Sequence, residues 1–303
     1  MESLFVTGGS GFVGRNFFNN LDFTRYHEVF SLSRSENVPL LQKPAPHNLY
    51  AIAADLADPD GYRSFLKGCR TVIHMAAATG KAKPAEYHRV NAEATEILLR
   101  ECEKAGVKNF LHISSIAVKF PQKKYYYYAL AKEQGEVKVR HSRLHYIILR
   151  PTIIVGKGSP ALAGLVRLAC LPKPVVFGTG KTMVQPIFVS DLALAISEIL
   201  SGDSFSGETL ELGGRESLSI EDFMKRIREF LKGHSVSAVH WPLVPTIPLL
   251  GMLEKFLSPI LPFNAGQLYS FQCDGLAVPN DLSSRLSPSF LSVKQMLEES
   301  LCP

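Results

Sequence analysis

Apolar and polar positions alternate between two regimes along the chain. Short, mostly apolar runs at 4–7, 28–32, 50–54, 71–77, 109–115 and 146–150 predict strands, and the nearly unbroken run at 71–77 suits a parallel strand buried on both faces. Between them, residues 11–20 and 87–105 carry apolar positions at helical spacing, the second stretch stopped by Gly106. A short helix is expected through 65–66 and a longer one over 125–142. Residues 37–49 are punctuated by Pro39, Pro44 and Pro46 and read as loop. Strand and helix in alternation, with short connections, predict an α/β fold built on a doubly wound parallel sheet. No repeat at solenoid periods is present.

After Pro151 the pattern changes. A short strand at 175–178, a turn at 178–180 and a helix over 190–200 follow, with Asp191 favourably placed in the first turn. Residues 208–212 alternate, precede Gly213-Gly214, and read as the last strand of the sheet. Residues 241–263 are the most apolar stretch. Pro242, Pro245, Pro248, Pro259 and Pro262 with the Glu254-Lys255 pair argue against a transmembrane span. Two readings remain: a helical cap packed on a substrate cleft, which is the simpler, or an interfacial membrane contact. A cap of this kind favours a substrate with an apolar portion.

Composition narrows the class. With 303 residues and 46% hydrophobic content, the chain can bury one large core, or one core and a smaller appended lobe. The net charge of +5 is spread along the sequence, its only dense cluster lying within 119–124, so a nucleic-acid partner is not expected. Five cysteines without C-x-x-C spacing suggest neither a disulfide framework nor a metal site. The N-terminus runs straight into a strand, and Cys302-Pro303 is no prenylation box, so a cytoplasmic location is expected.

The chemistry begins at Thr7-Gly8-Gly9-Ser10-Gly11-Phe12-Val13-Gly14, a strand end, a tight turn and a helix start. Glycine lets the backbone approach a pyrophosphate, and the helix N-terminus offers free N–H groups. The spacing Gly-x-x-Gly-x-x-Gly departs from the usual dinucleotide-binding Gly-x-Gly-x-x-Gly. At the end of the next strand stands Arg34 between Ser33 and Ser35, with no acidic residue before Glu36, which points to a ribose 2′-phosphate and so to NADP(H) in preference to NAD(H). Asp55, before Leu56, suits an adenine amino group or a helix cap. Met75, Ala76 and Ala77 end a buried strand with little bulk. His74 inside that run reads as a core histidine, and Asn91 faces the cofactor or bonds locally. Ser114-Ser115 ends a further strand, and Tyr128 and Lys132, four apart, share a helical face. A tyrosine hydroxyl, with an ordinary pKa near ~10, becomes a useful acid/base beside an ammonium, and a serine hydroxyl opposite can orient the substrate oxygen.

Thr7-Gly8-x-x-Gly11-x-x-Gly14, Asp55-Leu56, His74-Met75-Ala76-Ala77, Asn91, Ser114-Ser115, Tyr128-x-x-x-Lys132 with Glu136, Arg150-Pro151-Thr152 and the run from Phe188 to Ala193 together carry a resemblance. Over about residues 1–215 the chain resembles the extended short-chain dehydrogenase/reductase family, in its NAD-dependent epimerase/dehydratase branch. The resemblance implies a Rossmann-type cofactor domain from 1–155 plus 188–214 and a smaller, largely C-terminal substrate lobe from 156–187 plus 215–303. It implies a triad of Ser115, Tyr128 and Lys132, and cofactor contacts at Thr7, Gly8, Ser10, Gly11, Phe12, Val13, Arg34, Asp55, Leu56, Met75, Ala76, Ala77, Asn91, Tyr128, Lys132, Pro151 and Ile153. Thr79, Ser115 and Gln185 are the expected contacts of a small-molecule substrate, and a homodimer is compatible with the family.

Two departures bear on the reading. Tyr125 to Tyr128 form a run, from which only Tyr128 has a lysine at +4, and the 13-residue interval from Ser115 to Tyr128 is short for a sugar-nucleotide epimerase. The leading expectation is an NADP(H)-dependent oxidoreductase interconverting a carbonyl and a secondary alcohol. A nucleotide-sugar epimerase or dehydratase is the second, and the third is a non-catalytic NAD(P)H-binding sensor or accessory subunit of the complex I type.

Overall fold

A computed structural model of the chain describes residues 2–34, 46–202, 205–244, 246–257 and 265–302, with the side chains of 252–257 excepted. Ser35, Glu36 and most of the expected 37–49 loop lie outside the described residues. Contacts divide the chain into two compact units, one of residues 1–115, 130–150 and 192–210, the other of 116–129, 151–191 and 211–303.

The first unit holds the sheet. Its strands are β1 (Glu2–Thr7), β2 (Tyr26–Ser33), β3 (Leu49–Ala53), β4 (Cys69–His74), β5 (Asn109–Ile113) and β6 (His145–Pro151), with Glu208–Leu212 as the seventh. The order across the sheet is Glu208–Leu212, β6, β5, β4, β1, β2, β3. The pairings from β3 to β6 are parallel, so the expected doubly wound sheet is present. The order in which the chain lays down strands reverses between β1 and β4, which makes this the switch point of the sheet. Phe5, Val72, Phe110 and Ile148 are fully buried within it, which is why these runs are apolar on both faces.

Helices follow the strands with some departures from simple periodicity. The first is α1 (Phe12–Asn20). Two 3-10 turns, Pro59–Gly61 and Arg63–Leu66, stand where a short helix was expected. The long helix of 87–105 is interrupted: α2 (Pro84–His88) runs into a π-turn at Arg89–Glu93 before α3 (Ala94–Ala105). The physical reason lies at Asn91, whose side chain accepts from Ala78 N (2.8 Å) and donates to Ala78 O (3.1 Å). Next is α4 (Tyr127–Arg140), where Gly135 lets the helix lie against the π-turn, since a Cβ there would collide with the Asn91 carbonyl oxygen.

The second unit holds α5 (Pro160–Ala169), the start of α6 (Val189–Ser201), α7 (Ile220–Lys232), α8 (Thr246–Leu257) and the helix Val293–Leu301. Leu162, Leu165, Phe223, Ile227, Val293 and Met296 form its core. Among the described residues three pairs of short strands brace it, one of them Val175–Phe177 alongside Val239–Trp241. Ser219 caps α7 by accepting from Asp222 N (3.0 Å).

The apolar 241–263 stretch is helical over α8 and buries Leu243 and Ile247, while Trp241 is 51% exposed, Val244 80% and Leu249 58%. Residues 258–263 lie outside the described residues. No helix among the described residues is long and apolar enough to cross a membrane.

Candidate functional site

At the switch point the glycine turn closes on the neighbouring strand. Gly8 N donates to Leu32 O (3.0 Å), and Gly11 N donates back to Gly8 O (3.0 Å). Gly8 has φ +76°, and a Cβ on it would meet the Ala76 backbone nitrogen at 2.5 Å. Only glycine fits there, because the turn needs both a left-handed backbone and close approach to Met75–Ala76. Gly11 precedes α1 with no side chain capping the helix, so no side chain serves the first-turn amides of Phe12 and Val13. Ser10, Phe12 and Val13 are half-buried.

Behind the turn runs a buried chain of hydrogen bonds whose polarity can be read. Thr95 Oγ1 donates its single proton to Asn91 O (3.1 Å), so at 2.9 Å it accepts from His74 Nε2. His74 Nδ1 is then the acceptor of the Thr7 hydroxyl at 2.7 Å, and Thr7 Oγ1 accepts in turn from Ala76 N (3.2 Å). His74 is thus a satisfied core histidine that ties β1 and β4 to the helix carrying Asn91. Burial drives its pKa down to about 3, with the Lys132 charge pushing the same way. Its ring lies 5.2 Å from that of His112, which is also fully buried and held neutral by burial.

These neutral imidazoles have a consequence for acid stability. An unfolded imidazole titrates near ~6.5, so between about 3 and 6.5 the unfolded chain binds more protons than the folded one. Stability is therefore full above that window and falls as pH drops through it. Urea unfolding of His74→Gln is expected to show a shallower loss between pH 6.5 and 4 than the unaltered chain; an identical slope would refute the assignment.

At the end of β2, Arg34 is exposed. Asp55 beyond β3 accepts from Ala57 N (2.9 Å) and from Arg89 Nη1 (3.1 Å), and Arg89 holds Glu86 through Nε and Nη2. The Ala57 hydrogen bond, outweighing partial burial and joined by the Arg89 and Arg34 charges, holds the Asp55 carboxyl below the ordinary carboxylate range. Asp55 thus caps the turn that follows it, and Leu56 is buried. Nothing in the sequence signalled Arg89, which reaches Asp55 across 34 residues.

The end of β5 is held by α4. Lys132, 2% exposed, donates from Nζ to Ile113 O (2.7 Å). Burial lowers its pKa to about 8 against the opposing pull of Glu136. Glu136, four residues on, accepts from Ser114 Oγ (2.6 Å), Arg150 Nε (2.8 Å) and Nη2 (2.6 Å), and Arg140 Nη2 (2.7 Å). Burial alone would raise the Glu136 carboxyl, but these donors and charges hold it below the ordinary range. Ser115, the next residue after Ser114, is half-buried. Tyr128 is half-buried in the first turn of α4, one helical turn before Lys132, with its ring 6.0 Å from that of Tyr126.

The expected residues therefore sort by unit. Thr7 through Val13, Arg34, Asp55, Leu56, Met75, Ala76, Ala77, Asn91, Ser115 and Lys132 lie in the first, as does the exposed Thr79. Tyr128, Pro151, Ile153 and Gln185 lie in the second. Gln185 is occupied within its unit, donating to Gly214 O (2.8 Å) and accepting from Ala277 N (3.0 Å).

The chain is 37% identical over 125 residues to a sterol-4-alpha-carboxylate 3-dehydrogenase, decarboxylating, from Dictyostelium discoideum, covering 39% of this chain and 37% of that protein. It is 30% identical over 175 residues to a 4-hydroxy-2-methyl-3-oxo-4-farnesyl-3,4-dihydroquinoline-1-oxide ketoreductase from Stigmatella aurantiaca, covering 52% of each. The matched region thus spans about half the length of these curated relatives or less. The fold matches that of MoeE5 in complex with UDP-glucuronic acid and NAD, at a TM-score of 0.73 and 20% identity over 98% of this chain and 97% of that one. Residues 4–213 match the model of the NAD dependent epimerase/dehydratase family. With the glycine turn, the switch-point sheet and the α4 anchor all inside that span, the chain belongs to the NAD dependent epimerase/dehydratase family, within the extended short-chain dehydrogenases/reductases.

Proposed function

We propose that the chain is an NADP(H)-dependent oxidoreductase that interconverts a carbonyl and a secondary alcohol on an apolar small molecule, with Ser115, Tyr128 and Lys132 as its catalytic triad. The observation that carries the reading is the α4 anchor: a fully buried lysine on the Ile113 carbonyl, one turn after Tyr128 and beside the Ser114-Ser115 strand end. A buried ammonium is costly, and a site needing a phenolate stabiliser and ribose clamp gives it a use.

The residues present fit the cofactor, since Gly8 lets the turn lie directly against the Met75–Ala76 backbone and no side chain caps the α1 amides. The glycine turn would hold the pyrophosphate and the exposed Arg34 would face a 2′-phosphate. When bound, NADP(H) supplies or accepts the hydride at the reacting carbon. Ser115 orients the substrate oxygen by donating a hydrogen bond, Tyr128 gives that oxygen its proton or takes it away, and Lys132 keeps the phenolate form accessible.

The apolar substrate class is supported by the second unit, which exposes Trp241, Val244 and Leu249 and has an apolar interior, and by relatives named for sterol and farnesyl-quinoline chemistry. The test is a turnover assay on the purified chain with NADPH or NADH against a 3-ketosteroid, a prenylated ketone and UDP-glucose. Net NADPH oxidation with an apolar ketone is the expected result. Epimerisation of UDP-glucose without net cofactor oxidation would replace this reading with the sugar-nucleotide one, and NADPH binding without turnover of any substrate would favour a sensor.

A further inference from the structure

We propose that Glu136 is the positioning residue of this site: together with Lys132 it clasps the end of β5, and so fixes where Ser115 stands. The inference rests on the reading of Ser115 and Lys132 as catalytic groups.

The geometry is a two-point grip from one helical turn. Lys132 and Glu136, four residues apart on α4, take hold of consecutive residues at the end of β5: Nζ of Lys132 donates to the Ile113 carbonyl (2.7 Å), and the Glu136 carboxylate receives the Ser114 hydroxyl (2.6 Å). Ser114 N is also committed, donating to Leu149 O (2.7 Å) on β6. Ser115 follows directly, so its backbone leaves a residue pinned from both sides.

The same carboxylate reaches the other flank of the strand end. Oε1 accepts from Ser114 and Arg150 Nε, while Oε2 accepts from Arg150 Nη2 and Arg140 Nη2. Four donors satisfy both oxygens of a side chain that is 0% exposed. Arg150 lies in β6, one residue before its end, so one group joins α4, β5 and β6 beside the candidate site.

Stability alone is a weak reason for such a group, because buried ion pairs can often be replaced by packed apolar residues at no loss. Fixed orientation is a stronger one, since a small displacement of a catalytic group is costly in rate. The carboxylate has a second effect. The ionisable groups around it are Arg140, Arg150 and Lys132, and its charge opposes the burial that brings Lys132 down to about 8.

Three variants test this. In Glu136→Gln, kcat is expected to fall about 10- to 100-fold with the KM for NADPH little changed, because the glycine turn is untouched. In the resting protein, the midpoint of the Lys132 side-chain NMR titration is expected to move to lower pH, because the carboxylate charge that opposes burial is gone. Glu136→Asp, which keeps the charge but shortens the reach, should restore the titration and only part of the rate. Ser114→Ala should lower kcat and leave the titration in place.

A folded Glu136→Gln with unchanged kcat and unchanged titration overturns the proposal. If that variant does not fold, unchanged kcat in Ser114→Ala overturns it. The titration is read without turnover, so full activity in Tyr128→Phe would count against the catalytic reading alone.

Discussion

Tyr128→Phe is expected to lower kcat by about 10²- to 10⁴-fold while NADPH binding stays as it was, because the substitution deletes the proton-transferring hydroxyl and keeps the ring. Stopped-flow absorbance of NADPH with a reactive ketone reads the rate, and quenching of nicotinamide fluorescence reads the binding. The tyrosine run supplies its own control. Tyr127 precedes Tyr128 on α4, stands 37% exposed, and has Lys132 at five residues rather than four, so Tyr127→Phe should retain the full rate. Loss of rate in both variants alike would mean that the run acts through packing, and the acid/base role of Tyr128 would be withdrawn.

Lys132→Met is expected to abolish turnover and, at neutral pH, to raise the melting temperature. The lysine is 2% exposed and its burial is the main cause of its lowered pKa, so the folded chain carries an ammonium in a place that disfavours charge. A methionine of similar reach fills the volume without that cost. Glu136 is not orphaned by the change, since Arg150, Arg140 and Ser114 still serve it. The pH dependence has a definite sign. Below about 8 both folded and unfolded lysine are protonated and the penalty is fully present. From there to the ordinary lysine value near ~10.4 the unfolded chain binds the extra proton, so the unaltered protein gains stability as pH rises. The advantage of the variant should therefore be greatest below pH 8 and shrink toward pH 10. Calorimetry across that range checks it, and a variant less stable at every pH would show that the Ile113 contact outweighs the burial cost. Loss of activity joined to gain of stability is the pattern expected of a group retained for chemistry.

Much of the sheet was legible because parallel strands leave an unambiguous trace. Runs such as 71–77 are apolar at nearly every position, and the glycines after β1 punctuate the turn that a strand-to-helix connection needs. The strand there ends at His74, three residues before the apolar run does, because Met75–Ala77 leave the sheet beside the glycine turn. The π-turn at Arg89–Glu93 was not legible. The helix before it, Pro84–His88, is too short to establish a phase of its own against which a shift could be seen, and the cause, Asn91 against the backbone of Ala78, is tertiary. Side-chain partnerships divide in the same way. The Lys132–Glu136 spacing is visible as i, i+4, whereas Arg150 joins Glu136 only because β6 lies beside β5. Asp55 with Arg89, and His74 with Thr95, likewise need the fold before they can be paired.

The π-turn also sets a rule for length variation in relatives of this chain. It amounts to one residue added within a helical turn, so the segments on either side are rotated by about 100° from the phase an uninterrupted helix would give them. Deleting Ala92 or Glu93 would restore regular winding and swing either Asn91 away from Ala78 or Thr95 away from His74, since both contacts cannot survive the change of phase between them. Substitutions are therefore the tolerated form of variation here, and an alignment gap of one residue at this point would mark a branch that builds its cofactor cleft on a different helix register.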